Sequence, residues 1–375
     1  MSPLEIFKFF IKLGMTGFGG PLALIEEMRL HFVSEKQLLT NPEFNQAYLL
    51  IKAMPGPVAF QFAVYLGKKF GGFAGAAVAA VGLLFPSFIL MILLGIFYTS
   101  FQEYKELNNF LIGMQYAVAG VILFGLYNIS KDYLKNFLFY IFVVIAMALY
   151  FFKLAPEVLL ILMLGFLAVI YRKAKKLPQG RMPVSLFSAA LPLVAFEWDK
   201  IAQILKVFFI AGAFIFGTGL AAFPYFKSEL VHSLGFLDLK TFNDGVSFGQ
   251  LSPGPVTIAA VFYGYKIATL SGAILALLAL YLMPFIHMST WFPSAVQRLS
   301  KLSWIQDFVL GASAAIVGTI AVTVYEMNQK EVSNFNFWVT LALVLVVLAS
   351  YKKISIFKVI FSFALINYMY LMFIN

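Results

Sequence analysis

A five-residue signature occurs twice, and it constrains the fold more than any other feature of the chain. Met54-Pro55-Gly56-Pro57-Val58 returns 198 residues later as Ser252-Pro253-Gly254-Pro255-Val256. The same offset pairs Phe18-Gly19 with Phe216-Gly217, Tyr65 with Tyr263, Pro86 with Pro284, Gly113 with Gly311 and Gly120 with Gly318. An offset held without a gap from Phe18 to Gly120 marks two copies of one unit. In both copies a helix-breaking Pro-Gly-Pro lies inside apolar sequence, the pattern expected where broken helices meet at a central site in a membrane.

The chain is 62% hydrophobic and 12% charged, whereas a soluble domain is about 45–50% apolar and about 25% charged. Each copy carries four long apolar stretches, at 73–99, 110–129, 137–152 and 158–171 and then at 272–287, 308–325, 335–350 and 354–373. With their flanks these approach the roughly 20 residues that a helix needs to cross a bilayer. The expected fold is an all-α polytopic membrane protein. Cysteine is absent, which excludes disulfides and thiolate metal sites, and no cofactor is expected. His31, His232 and His287 show no metal-ligand spacing. The net charge of +10 reads as basic loops on the cytoplasmic side. Nucleic acid is not an expected partner of so apolar a chain.

Three regions follow: a first repeat over 1–171, a basic linker with one short extra crossing over 172–200, and a second repeat over 201–375. The linker carries five basic residues between Arg172 and Arg181, and the extra crossing falls at 184–196. With the linker on the cytoplasmic side, stepping back through the spans places Lys153 outside, Lys131 and Lys135 inside, and Lys68-Lys69 inside. Stepping forward across the extra crossing places Arg298 and Lys301 inside and Glu326 and Lys330 outside. These sides fit a second copy of inverted topology, with the N-terminus cytoplasmic, the C-terminus external and the protein in the cytoplasmic membrane. The Gly/Pro-interrupted part of each copy must then enter and leave on one side. Two re-entrant half-helix hairpins per copy do this, and full crossings paired in even numbers give the same loop sides. Non-helical backbone at membrane depth needs protein or water around it, so the breaks should meet near the midplane.

A half-helix that starts after Pro-Gly-Pro points free N–H groups and the positive end of its dipole at whatever lies beyond it. Such starts bind oxyanions, and two from opposed copies can clamp one divalent tetrahedral oxyanion. The expected site therefore includes Pro55, Gly56, Pro57, Pro253, Gly254 and Pro255. Gly19, Gly20, Pro21 and Gly219 would allow close backbone approach, or simply tight helix packing. Lys52 would supply a full charge, with Gln250 as its repeat mate, or it snorkels to the interface. Gln61, Thr218, Ser252 and Thr257 offer donors to an anion, or cap half-helices and satisfy freed carbonyls. Glu27 and Glu229 are the carboxylates placed to carry a coupling proton, or they belong to solvated helix ends.

Phe18-Gly19-Gly20-Pro21, Pro55-Gly56-Pro57-Val58-Ala59-Phe60-Gln61, Leu84-Phe85-Pro86-Ser87-Phe88 and Ser252-Pro253-Gly254-Pro255-Val256-Thr257 resemble the motifs of the chromate ion transporter family in its long, two-domain form. Four motifs in order and spacing, over nearly the whole chain, carry the resemblance. It implies secondary transport of an inorganic oxyanion, chromate in the name-giving members, with outward export. It implicates Gly19, Gly20, Pro21, Pro55, Gly56, Pro57, Gln61, Pro253, Gly254 and Pro255. The second copy has Gly217-Thr218-Gly219 in place of Gly-Gly-Pro.

A carrier for sulfate or an organic anion, and a passive anion channel, share this architecture. A homodimer is compatible with it. No Walker motif, HExxH or Gly-x-Ser-x-Gly is present, so an enzyme is not expected. Single cysteines at Leu177 and Tyr265, probed with an impermeant thiol reagent, are expected to label from opposite sides. Labelling from one side would sink the inverted arrangement.

Overall fold

The computed structural model describes residues 1–18, 20–52, 54–176, 200–214, 219–299, 302–330, 333, 335–350 and 354–374. Among them it is helical and holds no strand. Gly19, Thr218 and the expected crossing at 184–196 lie outside the described residues. The first copy comprises α1 (Pro3–Thr16), α2 (Gly20–Arg29) with a π-helical extension Leu30–Glu35, α3 (Asn41–Lys52), α4 (Val58–Phe101), α5 (Lys105–Ser130), α6 (Phe137–Phe151) and α7 (Glu157–Lys176). The last of these takes in Arg172 to Lys176, so the basic run begins as the end of a helix rather than as a loop. The second copy comprises α8 (Lys200–Phe214), a 3-10 turn Gly219–Ala221 leading into α9 (Ala222–Phe226) and a π segment Lys227–Ser233, then α10 (Leu239–Leu251), a 3-10 turn Val256–Ile258 leading into α11 (Ala259–Ser289), α12 (Phe292–Leu299), α13 (Ser303–Met327), α14 (Phe335–Ser350) and α15 (Ile356–Ile374).

Local chemistry fixes the starts of the half-helices. At α1, Ser2 and Glu5 form a reciprocal capping box and Pro3 takes the first helical position. Thr40 and Glu43 form the same box at α3, with Thr40 N donating to Glu43 Oε2 at 2.9 Å. Its counterpart at α10 is Asp238, which accepts from Thr241 N at 2.6 Å. α1, α2, α3, α8 and α10 run 10 to 15 residues, too short to cross a bilayer.

α4 is not one straight span. Gly71 and Gly72 leave helical geometry, with φ of −138° and 64°. A Cβ on Gly67 would overlap the Gly75 carbonyl, although residues eight apart on a continuous helix stand about 12 Å apart. The chain therefore reverses into a tight hairpin, an inner arm (58–70) folded against an outer arm (73–101). α11 repeats this, with the reversal at Ala268 and Thr269 and the close approach at Gly264 and Gly272. Glycines at the crossing let two backbones touch.

The equivalent contacts correct the ungapped alignment. Gly67–Gly75 matches Gly264–Gly272, and the packing of Gly14 on the Leu83 carbonyl matches that of Gly212 on Leu280. Within these arms the offset is 197, so Pro284 corresponds structurally to Ser87 rather than to Pro86. The 3-10 turn Val256–Ile258 accounts for the missing residue. Three residues rising about 2.0 Å each cover the distance of four rising about 1.5 Å each.

The long spans exchange between copies. α5 packs against α14 and α15, and α13 packs against α6 and α7. Small residues sit at both seams: Gly120 against Val344 and Gly318 against Ala146, Gly113 against Ala364 and Gly311 against Gly165. The packing units therefore do not follow the sequence copies. Among the described residues, four helical segments, Val58–Phe101, Lys105–Tyr133, Val256–Ser289 and Trp304–Met327, are long and apolar enough to cross a membrane. Val81, Phe85, Leu93, Val144, Leu278 and Val346 are exposed on the outside, where a bilayer rather than water suits them. This is a multi-pass membrane protein.

Gly272→Val is expected to force the α11 hairpin open, at a cost of about 1–3 kcal/mol, and to lower the thermal midpoint in detergent. Ala74→Leu, on the exposed side of the matching arm, should leave it unchanged.

Candidate functional site

The two Pro-Gly-Pro breaks lie against each other's copy. Gly56 faces the ring of Pro284, and Gly254 faces the hydroxyl of Ser87. Both glycines have positive φ, 116° and 88°, which glycine adopts freely and an L side chain does not. Gly254 N donates to Gly17 O at 3.1 Å, tying the second break to the Gly turn of the first copy.

Each break frees a carbonyl, and a side chain takes it up. Gln61 Nε2 donates to Pro55 O at 2.5 Å within the first copy. Ser87 Oγ donates to Pro253 O at 2.5 Å across the copies. Ser252 Oγ donates to Gly249 O at 3.0 Å, and the Thr257 hydroxyl shares a 2.7 Å hydrogen bond with Tyr281. Thus Gln61, Ser252 and Thr257 are all engaged inside the protein. Gln61 Oε1 and Gln250 Nε2 are buried without a hydrogen-bond partner.

A small cavity joins the copies. Gly56, Pro57, Ala211, Gly219, Ala222, Thr257 and Leu280 line a volume of about 10 Å³, room for one water. The first turn of the α4 inner arm, the 3-10 turn before α11 and the turn before α9 all begin there. Three short elements from both copies thus begin at one point. None of the lining residues carries a charge, so an anion held here would rest on backbone dipoles.

The structure brings Gly56, Pro57, Gly219 and Thr257 together at the cavity, with Gln61 beside Gly56. Lys52 goes elsewhere: its Nζ stands 3.7 Å from Asp132 Oδ2, an ion pair reaching an exposed acid. Gly20 and Pro21 open α2 with open space around Gly20. Glu27 faces outward. Glu229 is half-buried, and burial pushes its carboxyl above the ordinary range, against a pull downward from Lys206.

Several polar residues escaped the motif reading. Asp244 is fully buried in α10, where its carboxylate accepts from Tyr98 OH at 2.8 Å and Gln115 Nε2 at 2.7 Å. Glu157 is buried at the start of α7, with Thr319 Oγ1 donating to its Oε1 at 3.2 Å and no hydrogen-bond partner at Oε2. Lys227 and Glu326 form an ion pair at 2.5 Å. A lone carboxylate eight residues before Ser252, on a half-helix between apolar stretches, was the signal available for Asp244. Ser87 gave none, because its partner Pro253 lies across the copies.

No solved structure matches the chain. Among curated proteins it is 32% identical to the chromate transport protein of Cupriavidus metallidurans, over 94% of this chain and 89% of that one. It is 29% identical to a probable chromate transport protein of Synechococcus elongatus, over 88% and 86%. It is 28% identical to the chromate transport protein of Pseudomonas aeruginosa, over 88% and 82%. The chromate transporter family matches it twice, over residues 4–170 and 202–368, one match on each sequence copy. With both halves matched and the break geometry shared between them, the chain is a transporter rather than an enzyme and belongs to the chromate transporter family.

Proposed function

We propose that the protein is a secondary active carrier of a tetrahedral inorganic oxyanion, chromate first, exporting it across the cytoplasmic membrane. The observation that carries this reading is the cavity where helix starts from both copies converge with no charged side chain between them. An anion is the ligand that such a point suits, and similar proteins are named for chromate transport. Sulfate shares the shape and charge and is the expected competitor.

A volume of about 10 Å³ is smaller than a five-atom oxyanion, so the cavity must widen to load. Gly56 and Gly254 would hinge the breaks, and contacts that join the copies there, among them Ser87 to Pro253 and Phe60 to Tyr281, would part. Opening one break while the other stays closed would alternate access from opposite sides if the copies are inverted. Inversion is supported by the charge sides read from the sequence. The half-buried Glu229 suits a coupling proton better than the outward-facing Glu27.

Chromate flux into proteoliposomes, with sulfate and phosphate as competitors and a pH gradient imposed or collapsed, tests the reading. Saturable flux that sulfate blocks and the gradient alters is expected. Flux that never saturates would make the protein a channel. Gly254→Leu should abolish transport in correctly inserted protein. Gln61→Leu, which strips the Pro55 carbonyl of its donor at a cost of about 1–3 kcal/mol, should lower flux roughly tenfold. Lys52→Gln, by contrast, should retain most flux, because its ion pair with Asp132 draws it away from the cavity.

A further inference from the structure

Two lysines converge on one tyrosine ring at the far end of the second pair of half-helices. Lys240 Nζ stands 5.3 Å from the centroid of Tyr98, and Lys266 Nζ stands 5.1 Å from the same centroid. Lys240 opens α10, which runs down to the second break, and Lys266 ends the inner arm that returns from it. From Lys240 to Ser252 the helix covers about 18 Å. Asp244 and Ser247 follow Lys240 at i+4 and i+7, so one face of α10 carries polar groups from this end toward the break.

The charges are unevenly matched. Asp244 Oδ2 takes Tyr98 OH at 2.8 Å and Lys240 Nζ at 3.3 Å, and its Oδ1 takes Gln115 at 2.7 Å. The carboxylate is fully buried, while half of the Lys240 side chain is exposed. Lys240 is therefore shared between a buried acid and the outside. Besides the Tyr98 ring, Lys266 Nζ reaches the Thr99 hydroxyl, at 3.3 Å, and has no carboxylate within ion-pair distance among the described residues. The other acid nearby, Asp238, is engaged at the α10 N-cap. In the first copy the places of Lys240 and Asp244 are taken by Pro42 and Gln46, so the arrangement belongs to one copy only.

We propose that Lys240 and Lys266, held over Tyr98, form an outlying binding site for a small divalent oxyanion at the end of α10 away from the second break, and that Asp244 competes with the anion for Lys240. The identity of the anion rests on the function proposed above; the site does not. The anion pairs with Lys266, which no carboxylate among the described residues meets, and draws Lys240 off Asp244. That loosens the contact between α10 of one copy and α4 and α5 of the other.

The chain has no native cysteine, so Thr99→Cys gives a single reporter beside Lys266. The probes are an anionic sulfonate thiosulfonate, its neutral analogue and inorganic sulfate. In the Thr99→Cys parent the anionic reagent should react faster relative to the neutral one. Lys240→Gln or Lys266→Gln should lower that ratio roughly threefold or more, and Lys240→Arg should keep it. Asp244→Asn should raise it, a change of opposite sign that loss of packing would not give. Sulfate should slow labelling of the parent but not of the double lysine variant. A ratio indifferent to Asp244→Asn, or sulfate protection that survives loss of both lysines, overturns the site. Should Asp244→Asn not fold, Tyr98→Phe leaves Asp244 holding Lys240 more fully and should lower the ratio; no change overturns the proposal. Labelling reads no transport. A parent that shows these effects without oxyanion flux would end the carrier reading and leave the site standing, and flux with indifferent labelling would do the reverse.

Discussion

Backbone polar groups at membrane depth have no water to bond to, and every irregular turn there must be paid for by a partner inside the protein. That constraint organises the centre of this molecule. Breaking a helix at Pro-Gly-Pro frees carbonyls, and the Pro55 and Pro253 oxygens are each met by one side-chain donor, Gln61 and Ser87. The new helix starts meet at a cavity that no charged side chain lines.

The second constraint is packing without a hydrophobic driving force. Between lipid-facing helices, close backbone approach supplies the attraction, and the glycine seams at α5 with α14 and α13 with α6 provide it. Because these seams join opposite copies, the copies cannot separate as rigid halves. The breaks and inner arms are joined across the copies as well, by the packing of α4 on α11 and by Ser87 to Pro253 and Tyr98 to Asp244.

Much of this was legible. The duplicated signature marked two copies, and the apolar stretches fell on the helices that form the spans. Gly56, Pro57, Gly219 and Thr257 were named from sequence and stand together at the cavity. Lys52 shows where such reading runs out: its place beside Pro55 suggested the site, yet a long flexible side chain goes to the nearest counter-charge, and Asp132 came from a distant turn. Ser87 looked idle until the fold set it against Pro253.

The sequence by itself determined the local order: where helices start, through the Ser2, Thr40 and Asp238 caps; where they break, at Pro-Gly-Pro; and that the pattern occurs twice. These depend on residues within a few positions of one another. Only the tertiary structure decided the exchange of long spans, the contact of Ser87 with Pro253, and the pairing of Asp244 with Tyr98 and Gln115. Those depend on contacts more than a hundred residues apart in the chain, where composition and spacing carry no register.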